Sequence, residues 1–232
     1  MSAPSPPSPP PSPHPAPPGP DLDLSQEYNG IPLWMIPQHA HALALQEIAR
    51  AKARTSLEGY ARQVVGVAPA AHHILICQAI DALWDPLDPY DELIILAPPG
   101  SAKSTYTSVA FASYYLGRWP ENHILTASYS TELAEKWGRK VRGIVDSPEH
   151  QLVFPDSALS RESAAAGRWS TTVGGEFYGA GVGSGILGFR ADLGLIDDPI
   201  SGFEQAQSMT QLEKMRGWYE TDFVTRLKPQ AK

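Results

Sequence analysis

A chain of 232 residues, 42% hydrophobic and 19% charged, has material for one ordinary core and too little charge for a wholly disordered or coiled-coil protein. Its net charge of −7 excludes a protein that grips nucleic acid with its whole surface, since duplex binding is largely neutralisation of phosphates by lysine and arginine; a locally basic lining on an acidic body stays compatible with it. A single cysteine, Cys77, excludes an internal disulfide framework and a multi-cysteine zinc ribbon, and the longest apolar runs are strand-sized, so a soluble protein without a membrane partner is expected.

Met1–Pro20 holds 11 of the 23 prolines and almost nothing that can be buried, which predicts a disordered arm over 1–27. An N-terminal helical segment is expected over 28–68 and the main domain over 69–232. Within the first, the run from His39 to Tyr60 predicts a helix, with Leu45, Ile48, Lys52 and Leu57 near helical spacing and Gly59 as its stop. Arg50, Lys52 and Arg54 give that helix a basic side, read as a solvated face rather than a DNA contact. A second helix after Pro69 carries Ile76, Ile80, Leu83 and Trp84 on one stripe. His73 and Cys77 stand four apart on it like half a metal site, but no second pair of ligands is evident and core packing is the reading taken.

The apolar run Leu93–Ala97 predicts a buried parallel strand, followed directly by PPGSAKST and a helix-compatible TYTSVAFASYYLG. A further strand is predicted over 124–127, then a helix from Thr131 with Leu133, Trp137, Val141, Ile144 and Val145 on one face and Lys136, Arg139, Lys140 and Arg142 away from it. Residues 170–178 alternate as a strand or hairpin does. The glycine-rich GAGVGSGILG and the short apolar LGLI ending in Asp197, Asp198 and Pro199 come next.

Strand, glycine-bearing loop, lysine, hydroxyl, helix is the order a phosphate-binding loop requires, because backbone N–H groups opened by small residues cradle a phosphate that a lysine then reaches. Pro99, Gly100, Ser101, Ala102, Lys103, Ser104 and Thr105 are the candidate ATP-binding residues, with Lys103 on the phosphates and the Ser104 hydroxyl on Mg²⁺. The pattern is degraded, since Ala97 and Ala102 stand where glycine is usual, and alone it is equally compatible with a Pro-Gly turn. A strand delivering two carboxylates adds a second element: Asp197 as the Mg²⁺ ligand and Asp198 orienting or deprotonating the attacking water, in place of the commoner glutamate. The G-x-G-x-x-G from Gly183 to Gly188 runs into a strand instead of opening a helix, so it reads as a mobile loop or hairpin tip and not as a dinucleotide site.

On HHILICQAIDAL, LAPPGSAKST, ILTASYSTELAEKWGRKVRGIV, LVFP, the stretch GRWSTTVGGEFYGAGVGSGILGFRADLGLIDDP and the closing WYETDFVTRLKP, the chain resembles the terminase large subunit of tailed phages over about residues 69–232. The resemblance implies an α/β P-loop NTPase of the ASCE (RecA-like) type, with a central, mostly parallel sheet flanked by helices. It further implies a homo-oligomeric ring acting with a portal protein and a terminase small subunit, in the host cytoplasm, to drive double-stranded DNA into a capsid at the expense of ATP and with Mg²⁺. In such rings an arginine stabilises the transition state, often from a neighbouring subunit, and Arg139, Arg142 and Arg190 are the candidates. The family carries a coupling motif, a lid and a nuclease domain after the segment resembling FVTRLKP, so no DNA cleavage is expected of residues 1–232, whose last carboxylates are Glu204, Glu213, Glu220 and Asp222. A truncated, non-catalytic prophage remnant that keeps the fold, a helicase and a small-molecule kinase are the competing readings.

Overall fold

The computed structural model describes residues 26–85, 87 and 91–232, so the expected proline-rich arm lies outside the described residues except for its last two positions. The chain divides into two compact units, 1–45 and 46–232. In the first, β1 (Glu27–Tyr28) and β2 (Ile31–Pro32) form an antiparallel hairpin. Asn29 and Gly30 turn it with φ of 53° and 76°, the pair of positive angles that a two-residue hairpin of matching twist demands.

Helix α1 (His41–Thr55) carries the chain into the larger unit, where α2 (Leu57–Tyr60) follows almost at once. Gly59 does not stop this helix. Ser56 restarts it, its hydroxyl accepting from the Gly59 N–H at 3.0 Å, and the Asp81 carboxylate accepts the Leu57 N–H at 3.0 Å. Gly59 is small because α2 folds back on α1: a Cβ there would lie 2.6 Å from the Lys52 carbonyl oxygen. The helical path runs on through a π-helical turn, Ala61–Val65, and ends at Gly66 with φ of 74°.

Helix α3 (Ala71–Ala82) lays Ile80 and Leu83 into the core with Ile76 and Trp84 packed beside them, the stripe the sequence predicts. A π-helical turn, Thr105–Ala110, leads into α4 (Phe111–Arg118), which is buried along nearly its whole length. The strand β3 (His123–Ser128) and helix α5 (Thr131–Val145) follow, then α6 (Pro148–Val153), β4 (Leu159–Ala164), β5 (Arg168–Thr171), β6 (Glu176–Gly181) and β7 (Leu193–Ile196). The chain closes with α7 (Phe203–Gln207), α8 (Met209–Trp218), a π-helical turn over Tyr219–Phe223 and a 3₁₀ turn over Val224–Arg226.

Among the described residues five strands make one mixed sheet in the order β4-β5-β6-β3-β7. β6 and β7 flank β3 and run parallel to it, while β4-β5-β6 is an antiparallel meander, so the architecture is α/β with helices packed against the sheet. Strand periodicity divides the core in two. Ile124, Phe177 and Leu193 face a cluster with α2–α6, and Leu125, Ala127 and Ala180 face a second with Trp218 and Phe223. Trp169 anchors the first cluster, fully buried, stacked on Phe177 at 5.2 Å, its indole N–H given to the Gly138 carbonyl at 3.2 Å. No helix among the described residues is long and apolar enough to cross a membrane.

The glycine-rich stretch after β6 is not a hairpin tip, because β6 and β7 lie parallel on opposite sides of β3 and a hairpin joins antiparallel neighbours. It is a crossover, fastened by Ile186 and Phe189, both buried in the second cluster.

Candidate functional site

Because β7 alternates, Leu193 and Leu195 turn to the first cluster and Asp197, two residues further on, follows the same side. The backbone fixes both carboxylates to β3: the Asp197 N–H is donated to the Ala127 carbonyl at 2.9 Å and the Tyr129 N–H to the Asp198 carbonyl at 3.1 Å. Asp197 is 3% exposed, and its Oδ2 is buried with no hydrogen-bond partner among the described residues. An orphaned buried carboxylate oxygen is a costly thing to keep, and a cation is the partner that suits it. Asp198 is exposed and adopts φ of 47°, in the left-handed region that aspartate tolerates better than most residues.

The lysine arrives differently. Residues 91–97 form no helix and enter no ladder, so the strand predicted at 93–97 is not formed. A cavity of about 570 Å³ is lined both by Leu93 to Leu96 and by Leu193 to Asp198. The outer edge of β7 bonds instead to the backbone of Lys232, which accepts the Gly194 N–H at 2.9 Å. Within 91–97 only Ile95 packs against the first cluster, and Ile94 and Leu96 are 81% and 92% exposed.

Beyond it, Pro98, Pro99 and Gly100 turn the chain, the Ser101 N–H returning to the Pro98 carbonyl at 3.2 Å. Gly100 has φ of 80° and Ala102 φ of 56°. The second value gives the physical reason glycine is usual at that place: the backbone requires a left-handed residue, and alanine supplies it at a cost of about 1 kcal/mol. Lys103, Ser104 and Thr105 then enter the helix ahead of α4.

The two sides meet at Lys103. Its ammonium lies 2.8 Å from Asp198 Oδ1 and 3.4 Å from Asp197 Oδ1, joining residues 95 positions apart in the chain. Burial alone lowers the pKa of this ammonium, but the hydrogen bond to Asp198 and the charges of Asp197 and Asp198 outweigh it and raise the pKa above the ordinary lysine value. The lysine is therefore charged at any physiological pH. Among the described residues no three His, Cys, Asp or Glu side chains come together as a metal cage.

Arg139, Arg142 and Arg190 are not among the residues lining the cavity beside Lys103. Arg139 projects from α5 within 3.7 Å of Glu135, and the Arg190 carbonyl oxygen lies 2.9 Å from His123 Nδ1. Glu213 and Glu220 are exposed on the C-terminal helical stretch, with Glu220 paired to Arg216 at 2.8 Å. Cys77 is buried in the core, but His73 is not a core residue: it faces the loop, its Nε2 2.7 Å from the Ser101 carbonyl oxygen. That contact, 28 residues long, has no periodic or motif signal in the sequence.

The family described as terminase large subunit, T4likevirus-type, N-terminal, matches residues 94–232. No curated protein matches the chain. The matched span begins within the segment 91–97 and contains the loop, Lys103, both aspartates and every strand of the five-stranded sheet, and on that coverage the chain belongs to the T4-like type of the terminase large subunit family, in its N-terminal part.

Proposed function

We propose that residues 69–232 form a P-loop ATPase domain of the ASCE type and that the chain is the motor part of a DNA-packaging terminase, driving double-stranded DNA into a capsid. The observation that carries this reading is the convergence of Lys103 on Asp197 and Asp198, at the junction of a left-handed loop and the end of a parallel strand. Membership of the terminase family supplies the substrate class.

In this reading Lys103 exchanges partners. Without nucleotide its ammonium balances one of two adjacent carboxylates. With MgATP it turns to phosphate oxygens, and the backbone N–H groups of residues 100–105 hold the same phosphates as a fixed, uncharged cradle. Asp197 keeps its buried position and offers the orphaned Oδ2, with the Ser104 hydroxyl, to Mg²⁺. That ion, when bound, neutralises charge on the transferring phosphoryl group. Asp198, exposed and anchored through its own carbonyl to Tyr129, orients the attacking water and takes its proton. A ring of subunits, with portal protein and small subunit as partners, would bring one of Arg139, Arg142 and Arg190 to a neighbour's site.

Titration with a fluorescent ATP analogue in Mg²⁺ tests the assignment. Lys103→Ala should bind at least about tenfold more weakly than the wild type, the loss expected of a charge-assisted contact to phosphate. Equal affinity in the two proteins would remove the phosphate loop from the account.

A further inference from the structure

We propose that His73 is a positioning residue for the phosphate loop: through Ser101 it fixes the peptide plane that aims the Ala102 N–H, without touching the nucleotide itself. The inference deepens the reading of residues 98–105 as a phosphate cradle and rests on it.

Besides the neighbouring His72 ring at 3.8 Å, the His73 ring makes three contacts that fix its orientation. Nδ1 accepts the Ala70 N–H at 3.1 Å, at the first turn of α3. An imidazole nitrogen that accepts carries no proton, so the neutral ring bears its hydrogen on Nε2. Nε2 is then the donor in the 2.7 Å contact with the Ser101 carbonyl. The ring face stacks on Tyr106 at 4.2 Å and 20°, and Tyr106 is itself 2% exposed in the core, one turn beyond Lys103.

The consequence for the loop follows from peptide geometry. No peptide bond among the described residues is cis, and a planar trans peptide points its C=O and its N–H in opposite directions. With the Ser101 carbonyl drawn toward α3, the Ala102 N–H is turned away from α3. That orientation is the one Ala102 keeps at φ of 56°, which alanine does not adopt freely. The hydrogen bond from His73 thus holds in place a strained peptide that would otherwise relax by flipping, and a flipped peptide would present a carbonyl oxygen where an anion needs an N–H. Residues 91–97, before the loop, enter no ladder, so α3 does the holding that a paired strand would do elsewhere.

Three variants separate the donor from the ring. His73→Gln keeps a donor near Nε2 and loses the stack on Tyr106, His73→Phe keeps the stack and loses the donor, and His73→Ala loses both. Two readouts are taken: backbone amide chemical shift and hydrogen exchange of Ala102 without nucleotide, and affinity for a fluorescent ATP analogue in Mg²⁺. The expected result is that His73→Phe and His73→Ala shift the Ala102 amide, speed its exchange and weaken nucleotide binding by about three- to tenfold, the worth of one hydrogen bond, while His73→Gln stays within about twofold of wild type. Melting of His73→Phe within a few degrees of wild type excludes general unfolding as the cause. Loss in His73→Gln with retention in His73→Phe would overturn the proposal in favour of the ring stack, and so would an unchanged Ala102 amide in all three. Absence of nucleotide binding in the wild type would refute the ATPase reading alone, because the amide measurements still decide whether His73 sets the peptide.

Discussion

Asp197 and Lys103 finish 3.4 Å apart, yet the segments that bring them there are held in unlike ways. β7 is paired along its length with β3, sits between two apolar clusters and places Asp197 by register. The segment 91–97 has no ladder, exposes Ile94 and Leu96, and places Lys103 through a strained turn fastened to α3 by His73, whose ring stacks on Tyr106. The carboxylate side of the candidate site is thus part of the sheet, while the lysine side is attached to it at a few points. Such a division suits a site in which the carboxylate must stay and the lysine must move when it changes partner.

The largest effect that breaks the comparison is expected from truncation on either side. Leu193→Ala removes a side chain 2% exposed in the first cluster and should cost about 2–5 kcal/mol in urea unfolding, the range for a buried leucine. Ile94→Ala, at a side chain 81% exposed, should cost less than about 0.5 kcal/mol. Equal costs would mean that the two segments are held alike and that 91–97 is a full member of the sheet.

Acid should act on the scaffold beneath both sides without altering the difference between them. The buried His150 shares a 2.6 Å hydrogen bond between its Nδ1 and the Tyr60 hydroxyl, whose own pKa is pushed far up by burial, and its Nε2 has no partner among the described residues. Burial pushes the His150 pKa down from 6.5 to about 4. The folded state therefore refuses a proton that the unfolded chain accepts below 6.5, and stability falls as pH falls from about 6.5 to 4, by up to about 3 kcal/mol. Asp81 opposes this: burial raises its pKa from 3.8 to about 6, so its contribution grows as pH falls through that interval. Comparing wild type with His150→Phe at each pH cancels the Asp81 contribution, and the wild type should lose ground to the variant between pH 7 and 4.5. Parallel curves would show that His150 titrates normally.

A smaller effect sharpens the account of the lysine side. Ala102→Gly removes the strain of φ 56° and should stabilise the protein by about 1 kcal/mol, measurable as a raised midpoint in urea. A destabilised Ala102→Gly would show that the turn is not strained.

What could be read from the sequence follows the same line. β3, β7, α5 and the hairpin of β5 and β6 announce themselves, because their periodicities, such as Leu125 and Ala127 against Ile124, are imposed by packing on both faces. The carboxylates were legible as a pair because a strand end dictates their place. Leu93–Ala97 has the same apolar signature as β7, but whether such a run pairs depends on a neighbour that no local pattern encodes. Gly59 was misread as a stop for a related reason: its smallness serves the Lys52 carbonyl seven residues back, a contact of tertiary origin. In the C-terminal stretch the π-helical turn at 219–223 brings Trp218 and Phe223, five residues apart, together in the second cluster, a spacing that α-helical periodicity does not announce.

The central claim is that Asp197 and Asp198 divide metal binding from water activation at a site completed by Lys103. Calorimetric titration of ATP with and without Mg²⁺, alongside phosphate release, tests it in the wild type and in Asp197→Asn and Asp198→Asn. The account predicts that the wild type binds ATP more tightly with Mg²⁺, that Asp197→Asn loses that Mg²⁺ dependence, and that Asp198→Asn retains it while losing hydrolysis. Wild-type binding indifferent to Mg²⁺, or an equal loss of binding in both variants, would contradict it.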